Sequence, residues 1–513
     1  MNMLKVAVAG ALCLGSAGAW AVDPAAFDDT APVVLRVGGA TASDNTLRNL
    51  FALDPADAET GNRAACQAGS LDIYTRGNDF LISCLSTANV VGLATGSHIV
   101  VVKETAGGSA NGVLPVARQS NLSNFITPTE ANIVANCTAA ATNAGGAGGL
   151  MSYQVRSCAT TLTNTAAPPH VGISDIDPRT FIGTAGVTAA DAAALSVDPG
   201  LQVLFAPIVS EALRNRLQTV QGLTSGSDTL ANVPSIPKSV LAGIFSGQLL
   251  DWSQVYINGQ QVGISGDTSA YLCRRGETSG TQTSFEIQFL NENCNRGEAS
   301  ATFVAPDQPS CLNGGCAWSP TTGGAAGQFG DDFVFAGAGS GDVRNCVSFN
   351  TATQYRIGTA STERLPLTTG TADRFRYVRV DGQEPTLVAA QEGRYNFFTE
   401  NTLNTRNPDV TTAGGNRAIW THIRTRIGDR AAVSATNAGF QNAAALGTTG
   451  GAADTGILVT PVAGSIEPVF PIVAANVRSP LAANGGPVNS QTRTLPGSAP
   501  NNCNAPITVV PPL

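Results

Sequence analysis

Short apolar runs that stop at glycine recur along this chain and set its rhythm. "VVLRV" at 33–37 reads as a strand ending at Gly38-Gly39. A helix follows, with Ser43 or Asp44 as its cap and Leu47, Leu50 and Phe51 on one face at i, i+3, i+4. "HIVVVKE" at 98–104 is a second strand, and it runs into "TAGGSANGV". "HVGIS" at 170–174 ends at Asp175, and "LQVLFAPIV" at 201–209 is a further core strand. "KSVLAGIFSG" at 238–247 pairs Val240 with Ile244 and Leu241 with Phe245, with Gly247 as the helix stop. Strands alternating with helices predict an α/β fold with a mainly parallel sheet.

Two long stretches break that rhythm. Residues 114–168 hold "ATNAGGAGG" and two cysteines, and residues 291–345 hold "TTGGAAGQFG" and three. Both read as disulfide-pinned insertions. From 447 to 513 the chain turns rich in Gly, Ala, Pro and Asn, which predicts an extended tail tied down through Cys503.

A length of 513 residues implies two or more domains. The net charge of -8, without basic runs, argues against nucleic acid and anionic membrane surfaces. It leaves room for a small anionic ligand, since exposed charges beyond about 10 Å are screened by salt. Lys5, the apolar stretch after it and Ala19-Trp20-Ala21 read as a signal peptide over 1–21, cleaved after Ala21. No later segment reaches the ~20 apolar residues of a membrane helix. Ten cysteines remain beyond Cys13, an even number that fits disulfides in an oxidising compartment. Sequence leaves their connectivity open. Neighbour pairing is the simplest scheme: Cys66 with Cys84, Cys137 with Cys158, Cys273 with Cys294, Cys311 with Cys316, and Cys346 with Cys503. A metal site is not expected: there is no C-x-x-C, and His98, His170 and His422 are the only imidazoles. No cofactor is expected either.

Four glycine-flanked polar loops share one plan: residues 39–42, 108–111, 172–175 and 275–281. Each offers a hydroxyl and free backbone N–H groups beside core-type structure. Ser279, Gly280 and Thr281 open a helix that carries Phe285 and Phe289 at i, i+4. The first N–H groups of a helix lack partners and welcome an anion. In an open α/β sheet such loops lie at the carboxyl ends of strands, where ligands bind. Read singly, each loop is as well explained as a turn or a helix cap, and Arg275 as a solvated surface group.

The order and spelling of these loops add to that reading. "GGAT", "GGSANGV", "GISD", "IFSGQLLDW", "RRGETSGT" and "YRIGT", in this sequence, resemble the phosphate-specific substrate-binding proteins of bacterial ABC transporters. The resemblance covers most of residues 33–445, insertions aside. It implies a two-lobed type II periplasmic-binding-protein fold, each lobe a mainly parallel sheet flanked by helices. Lobe 1 would be 22–203 with 387–446, and lobe 2 would be 204–386. The implied ligand-binding residues are Thr41, the Ala42 backbone, Ser109, Asp175, Arg275, Ser279, Gly280 and Thr281. Glu277 would hold the Arg275 guanidinium. Ala42 stands where that family usually has an aromatic, and Arg274 has no counterpart. The implied function is capture of inorganic phosphate by a monomeric periplasmic or extracellular protein, delivering to an ABC permease. Two other readings stand beside it: a secreted structural or adhesive protein on the same scaffold, and a secreted phosphatase-like hydrolase. Against the hydrolase, the chain has no G-x-S-x-G, no H-E-x-x-H and no P-loop.

Overall fold

A computed structural model describes residues 27, 30–58, 60–146, 148–291, 294, 315–319, 333–362, 366–367, 370, 373–406, 415–438, 457–459, 491–494 and 498–508. The expected signal peptide lies outside the described residues. So do most of the second expected insertion and most of the tail.

The chain forms a mixed α/β structure. Its strands are β1 (Val33–Gly39), β2 (Asp72–Arg76), β3 (Asp79–Leu85), β4 (His98–Glu104), β5 (Thr142–Ala144) and β6 (Tyr153–Ser157). They continue as β7 (Val171–Ser174), β8 (Leu195–Val209), β9 (Tyr271–Arg275), β10 (Val334–Gly337), β11 (Arg356–Ser361) and β12 (Phe398–Arg406). These lie in one sheet in the order β10-β9-β11-β8-β12-β7-β1-β4-β3-β2-β6-β5. Pairing is parallel where the glycine loops leave the sheet, between β7, β1 and β4 and between β10, β9 and β11. Antiparallel strands join these two parallel groups. Residues 195–204 of β8 pair with β12, and residues 205–209 pair with β11, so one long strand belongs to both halves.

Each half has its own apolar packing. On the first, Leu47, Leu50 and Phe51 of α1 (Asp44–Phe51) are buried on Leu35, Val37, Ile99 and Val101. Full burial of such a side chain contributes roughly 1.5–3 kcal/mol. On the second, Phe245 of α2 (Lys238–Phe245) stacks on Phe285 at 3.6 Å, and Phe285 on Phe289 at 4.5 Å. Phe285 closes α3 (Gly280–Phe285), so this stack anchors the helix that opens at Ser279.

Residues 114–168 are pinned by a disulfide as expected, Cys137–Cys158, and they carry β5 and β6, which extend the main sheet. Other expectations differ from the structure. Residues 334–337 are a core strand, and α4 (Ser340–Ser348) follows directly. Glycines on both sides disguise this short run. Cys66–Cys84 pairs as expected, but Cys273 bonds Cys346 and Cys294 bonds Cys503. Cys273 on β9 and Cys346 on α4 share one buried cluster with Phe335, Val343 and Val347. Sheet packing therefore selects that pair over the neighbour in sequence. Cys316 is disulfide-bonded, while Cys311 lies outside the described residues.

Residues 491–494 and 498–508 are built into the body. Glu400 on β12 is fully buried and accepts from Gln202 Nε2 (3.0 Å), Thr492 Oγ1 (2.5 Å), Arg493 N (2.9 Å) and Thr494 Oγ1. Asn502 pairs with Glu400 twice through backbone and side-chain amides, and its own N–H donates to Asp177 Oδ2 at 2.9 Å.

Candidate functional site

Strand register places the loops. β1, β4 and β7 run parallel with Gly38 opposite Glu104 and Gly172, so all three deliver their following loops at one edge. In the other half Arg275 is opposite Gly337, so the loops after β9 and β10 also leave together. Ala40, Thr41, Ser109, Asp175, Arg275 and Ser279 line one cavity of about 370 Å³, with Asn78, Asp79, Ser340 and Arg344 completing its walls.

Glycine brings the walls close. The turn Ser109–Gly112 lies directly on the sheet edge. A Cβ on Gly172 would meet Gly112 O at 2.0 Å, and one on Gly112 would meet Ile173 O at 2.3 Å. This contact sets Ser109 against Asp175: Ser109 Oγ donates to Asp175 Oδ2 at 3.0 Å and accepts from Asp175 N at 3.2 Å. Asn401 Nδ2 donates to the other oxygen, Oδ1, at 3.1 Å. Burial pushes the Asp175 carboxyl above the usual carboxylate range. The Ser109 hydrogen bond, the charges of Arg275 and Lys103 and the Asn401 amide oppose that rise.

Arg275 is held by its own half. Nε donates to Gly337 O (3.2 Å), Nη1 to Ser340 Oγ (2.9 Å) and Nη2 to Ala338 O (2.8 Å). A guanidinium has five N–H groups, so one on each Nη remains for a guest. Burial lowers its pKa to about 10, against the attraction of Asp175 and Asp342, and it stays charged at neutral pH. Glu277 was expected to grip this guanidinium. The grip comes instead from two carbonyls and a hydroxyl at the end of β10 and start of α4, because the strand register brings them alongside.

The remaining expected residues divide. Ser279 lines the cavity and caps α3 by accepting from Gln282 N at 3.4 Å. Gly280 packs just behind the wall: a Cβ there would lie 2.4 Å from Ser109 Oγ and 2.8 Å from Asp175 Cβ. Ala42 is buried in the second half's apolar cluster, and Thr281 is buried; neither lines the cavity. The loops also touch directly, with Ala110 N donating to Thr278 O at 3.0 Å. Gly280→Ala is therefore expected to cost about 1–3 kcal/mol through overpacking and to displace Ser109 from Asp175. Urea denaturation with a parallel ligand titration checks both effects.

Sequence reading missed Ser340, Arg344 and Asn401. Arg344 Nε donates to Asp373 Oδ1 at 2.7 Å, and the residue also lines the cavity. It comes from a helix assigned by sequence mostly to an insertion, and no local motif marks it. Among the described residues, no group of three or more His, Cys, Asp or Glu could hold a metal ion, and no helix is long and apolar enough to cross a membrane.

No family model and no curated protein matches this chain. Solved structures with some likeness include an ABC-type phosphate transport receptor from Vibrio cholerae and PstS from Borrelia burgdorferi. The first is 12% identical at a TM-score of 0.35, covering 78% of this chain and 98% of the other. The second is 13% identical at a TM-score of 0.30, covering 79% and 96%. Likeness at these scores assigns neither ligand nor partner.

Proposed function

We propose that this chain is an extracytoplasmic solute-binding protein that holds hydrogen phosphate in the cavity described above. It does so between two lobes, 22–203 with 387–446 and 204–386, and delivers its cargo to a membrane permease. One observation carries the reading. Thr41, Ser109, Asp175, Arg275 and Ser279 come from four separate stretches and line a single cavity. Arg275 offers two N–H groups, and hydroxyls and loop amides can supply the further donors that a phosphate needs. Gly280 lets the start of α3 approach Ser109 and Asp175.

Asp175 gives selectivity. An ionised carboxylate only accepts hydrogen bonds, so it favours an oxyanion that still carries a proton and repels fully ionised sulfate. Asp175→Asn is expected to weaken discrimination between phosphate and sulfate. Lowering the pH should do the same, because the raised pKa means that the carboxyl becomes a donor sooner than an ordinary aspartate would. Thermal shifts with phosphate, arsenate, sulfate and molybdate test the reading. Ligand at 100 times its Kd adds about 2.7 kcal/mol. No stabilisation by any oxyanion would leave the scaffold without this role. Turnover of a chromogenic phosphate ester, lost in Arg275→Ala, would make the chain a hydrolase instead.

A further inference from the structure

A fully buried ammonium sits behind the cavity wall. Lys103 is the sixth residue of β4 and has no exposed surface. Side chains alternate along a strand, so it stands on the same face as Ile99 and Val101, under α1. Its Nζ donates to Gly39 O at 2.7 Å and Ala40 O at 3.0 Å, with Glu104 O at 3.4 Å. Asp44 Oδ1, at the first residue of α1, is 3.4 Å away. Asp44 N in turn donates to Thr41 O at 3.0 Å. The ammonium thus ties both ends of the short turn that carries Ala40 and Thr41 into the cavity.

Burying a lysine is costly unless it is paired, and a hydrophobic residue would fill the same space under α1. What the charge does instead follows from peptide geometry. Two successive carbonyls point at Nζ. In a planar trans peptide the N–H lies opposite the C=O, so the Thr41 amide is turned away from Lys103. The Ala40 amide is already used, donating to Ile173 O at 2.8 Å. The charge also reaches the cavity itself: Lys103 acts on Asp175.

We propose that Lys103 is a further cation of the site, behind Arg275 and Arg344 of the lining, acting on a bound oxyanion through the Gly39–Thr41 turn rather than by contact. It orients the turn's amide dipole and supplies positive potential behind it. Asp44 partly masks that potential. Lys103 is therefore a positioning residue, and the Lys103–Asp44 pair sets the strength of the anion site. This rests on the oxyanion reading of the cavity.

The two members of the pair have opposite expected effects, which a purely structural ion pair would not give. Calorimetric titration of the full chain with inorganic phosphate is expected to show Lys103→Met raising Kd at least tenfold. Asp44→Asn, which unmasks the ammonium and keeps the shape, should lower Kd about threefold. Lys103→Arg should recover part of the loss. The double variant Lys103→Met with Asp44→Asn leaves no unpaired buried charge, so it guards against simple unfolding. It should still bind phosphate at least threefold more weakly than the wild type. Phosphate binding unchanged in the double variant would overturn the proposal. So would Asp44→Asn weakening binding as Lys103→Met does. A wild-type chain that takes up no phosphate would sink the reading of the cavity itself, an outcome distinct from either.

Discussion

Arg275→Ala is expected to abolish measurable phosphate capture, raising Kd by at least about 100-fold. Two charge-assisted hydrogen bonds to the guest are lost, each contributing roughly 1.5–3 kcal/mol, and every 1.4 kcal/mol is a factor of ten. Arg275→Lys should be nearly as poor. The native side chain spends three donors on Gly337 O, Ala338 O and Ser340 Oγ before it meets any ligand. An ammonium has only three, so a lysine that kept the loop in place would have none left. Titration calorimetry on both variants, with urea denaturation to show that they remain folded, checks this. Phosphate affinity within about threefold of wild type in Arg275→Lys would show that the guanidinium acts as a diffuse charge and not as a fork.

Glu400→Ala is expected to be the most damaging single change to stability, costing about 3–5 kcal/mol. Four donors converge on this carboxylate, from Gln202 and from residues 492–494. Arg493 is itself buried, its pKa lowered to about 10 by burial while the Glu400 charge holds it up. Removing the carboxylate leaves its four donors without their acceptor and withdraws a negative charge that favours the buried guanidinium. The damage should spread to the site, since the neighbouring residue, Asn401, donates to Asp175. Asn502, which pairs with Glu400, also donates to Asp177 two residues beyond Asp175. Chemical denaturation gives the loss, and limited proteolysis should show early cleavage near residues 491–504. A cost below about 1 kcal/mol would mean that the C-terminal segment merely lies on the surface.

Features that depend on neighbours along the chain are legible in the amino-acid sequence. Apolar runs marked β1, β4, β7 and β8, because a buried strand needs continuous apolar residues, and β1 and β4 lead into glycines, whose conformational freedom suits an exit loop. The same local logic marked Ser109, Asp175, Arg275 and Ser279 as exit-loop residues. It also found Cys66–Cys84 and Cys137–Cys158, whose partners are close in sequence. The remainder depends on long-range packing. The grip on Arg275 passed from Glu277 to residues 337–340 through strand register, which no local pattern encodes. Cys273 found Cys346 because α4 packs on β9, and Lys103 read as the end of an apolar strand until α1 was laid over it. Local interactions choose the elements and their ends. Contacts between residues far apart in the chain form only once those elements pack, and they decide which charges share a cavity.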